Sequence, residues 1–144
     1  MDKNAFVGAW KLVSFVMQGQ DGTLSYPYGL EPGGHIFYMP DGYMAVAIQS
    51  AGRPHFETQD SMAGTMQEKA GAMATFLSYC GTYEVQENVV VHHIEICLFP
   101  NWTGHDQRRF FKFEGRRLTL STAPQIYQGK ERTATLVWER VGDR

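Results

Sequence analysis

The fold is decided by residues 89–113, which read VVVHHIEICLFPNWTGHDQRRFFKF. The stretch shows two strand patterns on either side of a turn at residues 99–104. The apolar face of the first strand also carries His92, and that of the second also carries Gln107 and Arg109. The apolar residues expected on these two faces are Val90, Ile94, Ile96, Leu98, Phe111 and Phe113. Because burying an imidazole or a guanidinium without partners costs on the order of several kcal/mol, these groups indicate a pocket.

The composition favours one all-β domain over residues 1–144. The chain has 15 glycines, 13% aromatic residues and only 19% charged residues, which is typical of short strands and tight turns around a bulky interior. A formal net charge of −2 argues against nucleic acids and anionic membranes as partners. No apolar run approaches the roughly 18 residues of a membrane helix, and no signal peptide is evident, so we expect a cytosolic protein. Cys80 and Cys97 are then expected to be free thiols.

Eight strand patterns separated by turn signals predict the architecture. They cover residues 7–17, 34–39, 43–49, 79–85, 89–98, 106–113, 117–121 and 132–141. Antiparallel strands in one small domain must protect their edges, and closure into a barrel does so. One helix is predicted at about residues 65–77, beginning with a capping box formed by Thr65 and Glu68. The prediction is a closed antiparallel up-and-down β-barrel of about eight strands with one helix.

Short motifs follow one another in a characteristic order along nearly the whole chain. They are Gly8-Ala9-Trp10, Pro40-Asp41-Gly42, Tyr79-x-Gly81-x-Tyr83, Phe99-Pro100-Asn101-Trp102 and Leu136-Val137-Trp138-x-Arg140. In this order they resemble the bacterial and fungal lipocalin-like domain family. The resemblance implies a small barrel with a ligand-sized interior, in a family whose members mostly have no assigned activity. It also implies that Trp10 plugs the base of the barrel, with Arg140 stacked on its ring.

The two strands of residues 89–113 predict how the interior polar groups are arranged. A register centred in the turn at residues 100–103 places Ile94 opposite Arg109 and His92 opposite Phe111. Arg109 then lies diagonally from His92, about 7 Å away and within reach of a long side chain. The two groups would form a polar wall in an otherwise apolar barrel.

The residues predicted for the outer face offer no reactive centre. The same register pairs Glu95 with Arg108 outside the barrel, and strand alternation points Cys97 outward. His92 and His93 are adjacent in a strand, so they lie on opposite faces and cannot chelate one ion. We therefore expect no metal site. Phosphate-binding, dinucleotide and serine-hydrolase motifs are missing from the sequence, so no cofactor is expected.

Two functions from different classes fit these observations. The first is a binding module that holds a small apolar molecule, aromatic or polyketide-like, inside the barrel. The second is a cofactor-independent isomerase, cyclase or lyase in which His92 and Arg109 transfer protons on a carbonyl substrate. A third interpretation is structural, with both groups hydrogen-bonded to tyrosines or to backbone carbonyls and fixing the packing.

The candidate ligand-binding residues combine the interior polar groups with nearby aromatic side chains. They are Tyr38, Tyr83, His92, Trp102, Gln107 and Arg109. The hydroxyls of Tyr38 and Tyr83 are suited to orient a polar group of a ligand, but buried tyrosines are also ordinary core residues. Trp102 lies in the turn, where it either caps the mouth of the barrel or packs on its own hairpin. The sequence gives no indication of an oligomeric state.

Overall fold

The computed structural model describes residues 3–142, and its main element is a closed antiparallel β-barrel. The strands are β1 (Gly8–Gly19), β2 (Leu24–Ser25), β3 (Gly33–Tyr38), β4 (Tyr43–Gln49), β5 (Phe76–Val85), β6 (Val89–Cys97), β7 (Asp106–Glu114), β8 (Arg117–Ser121), β9 (Gln125–Tyr127) and β10 (Lys130–Arg140). Eight of them form the barrel in the order β1, β3, β4, β5, β6, β7, β8 and β10, and β10 pairs back with β1. The two short strands β2 and β9 pair with β1 and β10 respectively. The predicted barrel is confirmed.

One α-helix, α1 (Met66–Ala74), precedes β5. Thr65 is its N-cap, and its hydroxyl accepts from the Glu68 backbone while the Glu68 carboxylate accepts from the Thr65 backbone, as the predicted capping box requires. The helix ends earlier than predicted because Phe76 and Leu77 already belong to β5 and pair with β4. Within residues 3–142, no helix has both the length and the apolar character that crossing a membrane requires.

The base of the barrel is closed around Trp10, which is almost completely buried. Its indole nitrogen donates to the carbonyl of Phe6 at 2.9 Å. The guanidinium of Arg140 lies 4.1 Å from the centre of the Trp10 ring and donates to the carbonyls of Ala5 and Val7 at 2.7 and 2.9 Å. The structural roles that the resemblance implies for Trp10 and Arg140 are confirmed.

A β-bulge in β6 changes which side chains point inward beyond it. The pairing of β5 with β6 passes over Glu95, so the alternation of faces shifts by one residue. Ile96 is therefore 68% exposed and Cys97 packs against the core, and the predictions of an inward Ile96 and an outward Cys97 are wrong. Cys97 and Cys80 are free thiols, as predicted.

The register between β6 and β7 differs from the predicted one by four residues. His92 lies opposite Gln107, and Val90 lies opposite Arg109. The cause is an asymmetric connection, since β6 continues to Cys97 beyond its last pair with β7, and Pro100–Trp102 form a 3-10 turn. Because the difference is even, every side chain of β7 keeps its predicted face.

Three predicted pairs across these strands are therefore wrong. They are Ile94 with Arg109, His92 with Phe111, and Glu95 with Arg108. Arg108 lies opposite Val91 and donates to the side-chain oxygen of Gln86 at 3.0 Å on the outer face. The diagonal relation of His92 to Arg109 is retained, and both side chains are buried as predicted.

Candidate ligand-binding site

The barrel interior contains a cavity of about 380 Å³, which lies within the usual range for small-molecule sites. Its walls are predominantly apolar. Side chains from β1, β3 and β4 contribute Phe15, Met17, Ile36, Val46 and Ile48. Met73 of α1, Trp102 of the 3-10 turn and Ile126 of β9 also line it. Because Met73 and Ile126 are largely exposed, they border the cavity where it meets solvent.

His92 is buried between two tyrosines. Its Nε2 lies 2.7 Å from the hydroxyl of Tyr38, and its Nδ1 lies 2.6 Å from the hydroxyl of Tyr79. The three side chains come from neighbouring parts of the barrel, with Tyr38 on β3, Tyr79 on β5 and His92 on β6. Both ring nitrogens are thus engaged by protein groups.

The surroundings of the two tyrosines assign the proton positions. A neutral imidazole has one donor and one acceptor nitrogen, so one tyrosine donates to the ring and the other accepts from it. The hydroxyls of Tyr38 and Tyr79 each have His92 as their sole hydrogen-bond partner within the described residues, but Tyr79 lines the cavity and Tyr38 does not. We therefore infer that the Tyr38 O–H, which has no other acceptor, donates to Nε2. Nδ1 then carries the proton and donates to the oxygen of Tyr79. Because Tyr79 lines the cavity, its hydroxyl hydrogen can then be donated to a molecule bound there.

All three of these groups are neutral near pH 7, and burial shifts the pKa of each further from 7. Removal from water, reinforced by the nearby charge of Arg109, lowers the pKa of His92 to about 3. Burial raises the pKa of Tyr79 to about 12 and holds the pKa of Tyr38 well above its ordinary value. The charge of Arg109 opposes both of these tyrosine shifts without reversing them.

Arg109 is buried beside the same cavity, with 8% of its surface exposed. Its Nη1 donates to the side-chain oxygen of Gln107 at 3.1 Å and to the carbonyl of Arg108 at 3.0 Å. Among residues 3–142, no carboxylate lies within 4.0 Å of its guanidinium, and Nε and Nη2 make no hydrogen bond to the protein. Among the described residues that line the cavity, Arg109 is the only charged one.

The candidate residues from the sequence occupy different positions around the cavity. His92, Trp102 and Arg109 line it, whereas Tyr38, Tyr83 and Gln107 lie behind the lining. Tyr38 bonds to His92, Gln107 bonds to Arg109, and the hydroxyl of Tyr83 donates to the carbonyl of Met39 at 2.9 Å. Trp102 makes edge-on contacts with Tyr79 and with Phe99 of its own turn.

Several polar residues of the lining were not among the candidates, namely Tyr28, Tyr79, Thr122, Gln125 and Tyr127. The sequence held a signal for Tyr79, since it shares a strand face with Tyr83 four residues later. Tyr127 lies on β9, a three-residue strand too short for a recognisable pattern. Its hydroxyl donates to Gln125 at 2.7 Å, and both residues line the cavity.

His93 lies outside the cavity and is held by two carboxylates. Its Nδ1 is 2.7 Å from Asp106, and its Nε2 is 3.1 Å from Glu84. These hydrogen bonds raise its pKa, in contrast to that of its neighbour His92. No group of three or more histidine, cysteine or acidic side chains suited to a metal ion occurs in residues 3–142.

Comparison with known proteins finds a matching family model, a relative and a structural match. A model of the lipocalin-like domain family matches residues 7–141. The 4'-hydroxy-3'-methoxypropiophenone carrier protein ppsC of Aspergillus oryzae is 32% identical over 107 residues, which cover 68% of this chain and 96% of that protein. The crystal structure of an uncharacterised protein from Bacteroides eggerthii aligns with a TM-score of 0.45 at 11% identity, over 94% of this chain and 99% of that one.

Proposed function

The chain belongs to the lipocalin-like domain family, and we propose that it binds one small, largely apolar aromatic molecule inside its barrel. The observation that carries the proposal is the cavity of about 380 Å³ with apolar walls and only a few polar groups. Such a site excludes water from most of a ligand and uses the polar groups to fix its orientation. The cytosolic location expected from the sequence stays a prediction.

Aromatic side chains in the lining favour an aromatic ligand. Phe15, Phe76, Phe99, Trp102 and Tyr127 come from four different parts of the chain and all contribute to the cavity walls. Edge-to-face and offset stacking between rings add about 0.5–1.5 kcal/mol per pair beyond the burial of apolar area. A flat aromatic molecule therefore gains more in this cavity than an aliphatic one of equal size.

The relative from Aspergillus oryzae supports a narrower ligand class. Its name gives it as a carrier of an aromatic ketone with phenol and methoxy substituents. We propose that the present protein binds a phenolic aryl ketone or a polyketide-like molecule of similar size. Tyr79 and Arg109 supply hydrogen-bond donors for the oxygen atoms of such a ligand.

The alternative function, proton transfer by His92, is less compatible with the geometry. Both of its ring nitrogens are engaged by tyrosine hydroxyls, so neither is free to accept a proton from a substrate. Its pKa of about 3 makes it a weak base at neutral pH. Binding without chemical conversion is the function that these contacts favour.

Calorimetric titration with 4'-hydroxypropiophenone tests the proposal, together with a variant that fills the cavity. Ala134 lines the cavity and is buried, whereas the next residue, Thr135, is exposed. We expect Ala134→Phe to abolish binding and Thr135→Phe to leave it unchanged. Ligand recovered after long incubation should be chemically unaltered. If Ala134→Phe folds and binds as well as the wild type, the cavity is not the binding site.

A further inference from the structure

We propose that the ligand carries an acidic oxygen, of a phenol or an enol, and that the oxygen binds as its anion against Arg109 with Tyr79 as a second donor. The inference rests on the proposed function, because it specifies the ligand class of the same cavity. It goes further by fixing the ionisation state and the orientation of the bound molecule.

No opposite charge among the described residues compensates the charge of Arg109. An isolated ion removed from water carries a penalty on the order of several kcal/mol, and proteins normally offset it with an opposite charge. Arg109 has only two neutral oxygen acceptors in the described residues, and both bond to the same nitrogen. An anion entering the cavity supplies the missing opposite charge.

The guanidinium of Arg109 is held in place and still has N–H donors available. The side-chain oxygen of Gln107 and the backbone of Arg108 fix Nη1, while Nε and Nη2 have no protein partner in residues 3–142. A fixed guanidinium with free N–H groups suits an oxygen anion better than a flexible ammonium does. Gln107 is thus a positioning residue, which acts on the ligand through Arg109.

Four titratable groups lie close enough to Arg109 for its charge to affect their pKa values. They are Tyr38 on β3, Tyr79 on β5, His92 on β6 and Tyr127 on β9; all are neutral near pH 7, and burial shifts the pKa of each further from 7. No acidic side chain lines the cavity in the described part of the chain, so no protein carboxylate competes with the ligand. Because Nδ1 of His92 donates to the Tyr79 oxygen, the Tyr79 O–H can donate to the ligand as a second, neutral donor.

The test compares 4'-hydroxypropiophenone with its methyl ether, 4'-methoxypropiophenone. The two molecules have the same aromatic ketone, but only the first can ionise. Unlike the hydroxyls of Tyr38 and Tyr79, the ligand oxygen would hydrogen-bond directly to the Arg109 guanidinium, which outweighs the effect of burial. We therefore expect the bound phenol to have its pKa lowered by about 1–3 units, seen as the phenolate absorption band at a pH where the free compound is protonated. Proton release on binding, measured by calorimetry in buffers of different ionisation enthalpy, should accompany the band.

Substitutions of Arg109 test whether binding depends on its charge or only on the shape of the cavity. Arg109→Leu should remove the phenolate band and the proton release and weaken phenol binding at least tenfold, while binding of the methyl ether is retained. Arg109→Lys should keep a weaker phenolate band because it keeps the charge. Arg108→Leu, on the outer face of the same strand, serves as the matched control and should leave both ligands unaffected.

The outcomes distinguish this inference from the proposed function. If both compounds bind and the phenol keeps its solution pKa, the barrel is an aryl ketone site and the anion inference is refuted. A phenolate band that persists in a folded Arg109→Leu protein also refutes it. If neither compound binds, the proposed function fails and the inference fails with it.

Discussion

Replacement of Arg109 by leucine should make the ligand-free protein more stable, although it damages the proposed site. Arg109 is 8% exposed, and among the described residues no carboxylate offsets its charge. Leucine removes a buried charge and adds apolar surface to a cavity wall that is already apolar.

The expected magnitude follows from two opposing contributions. The substitution loses the two hydrogen bonds made by Nη1, each with a net contribution of about 1.5 kcal/mol because the donor is charged. It also removes the desolvation penalty of the guanidinium, which is on the order of several kcal/mol. We expect a net gain of about 1–3 kcal/mol in the free energy of unfolding. For a chain of this length, each kcal/mol raises the melting temperature by about 2–4 °C.

Urea denaturation at pH 7, followed by tryptophan fluorescence, measures this difference directly. Arg108→Leu is the matched control, because that side chain is exposed and donates to Gln86 on the outer face. Its free energy of unfolding should change by less than about 0.5 kcal/mol. A folded Arg109→Leu protein that is less stable than the wild type by more than about 1 kcal/mol would refute the reasoning, since it would mean that the guanidinium stabilises the empty barrel.

Three further predictions concern His92, the bulge and the base of the barrel. Because the pKa of His92 falls from 6.5 to about 3 on folding, the stability it contributes is complete above pH 6.5 and is lost at about 1.4 kcal/mol per pH unit as the pH falls towards 3. Between pH 6.5 and pH 5, chemical denaturation should show the wild type losing about 2 kcal/mol more than His92→Gln; equal losses would mean that His92 is charged in the folded protein. A Cβ at Gly81 would lie 1.9 Å from the backbone oxygen of His93, so Gly81→Ala should destabilise by about 3 kcal/mol or more, whereas Gly71→Ala, in α1 with open space around it, should stabilise by up to about 1 kcal/mol. The opposite order in urea midpoints would contradict the bulge geometry. Arg140→Met should lower the free energy of unfolding by about 2–4 kcal/mol, because it removes the hydrogen bonds from the guanidinium to the carbonyls of Ala5 and Val7 and its contact with the Trp10 ring. A loss under about 0.5 kcal/mol would show that the packing of Trp10 does not depend on Arg140.

The alternation of side chains was sufficient to place His92 and Arg109 inside the barrel. His92 precedes the bulge in β6 and Arg109 lies on β7, so the simple period of two holds for both. Beyond Glu95 the bulge reverses the alternation, so Ile96 is exposed and Cys97 packs against the core. Gly81 was the one local sign of this irregularity, because a glycine inside a strand often marks a bulge or a close backbone approach.

The partners of the buried polar groups were harder to predict than their positions. The register of β6 with β7 depends on the 3-10 turn at Pro100–Trp102, and no period in the sequence reports such a turn. The contact of Tyr79 with His92 crosses from β5 to β6, so it depends on a register set by the bulge. Strand patterns predict faces, whereas hydrogen-bond networks require the register as well.

A crystal structure of the protein with 4'-hydroxypropiophenone tests the central claim most directly. We expect the aromatic ring inside the barrel cavity and the phenolic oxygen within about 2.7–3.1 Å of both the Arg109 guanidinium and the Tyr79 hydroxyl. A ligand bound on the outer surface of the barrel, beside a cavity that stays empty at saturating concentration, would contradict the claim.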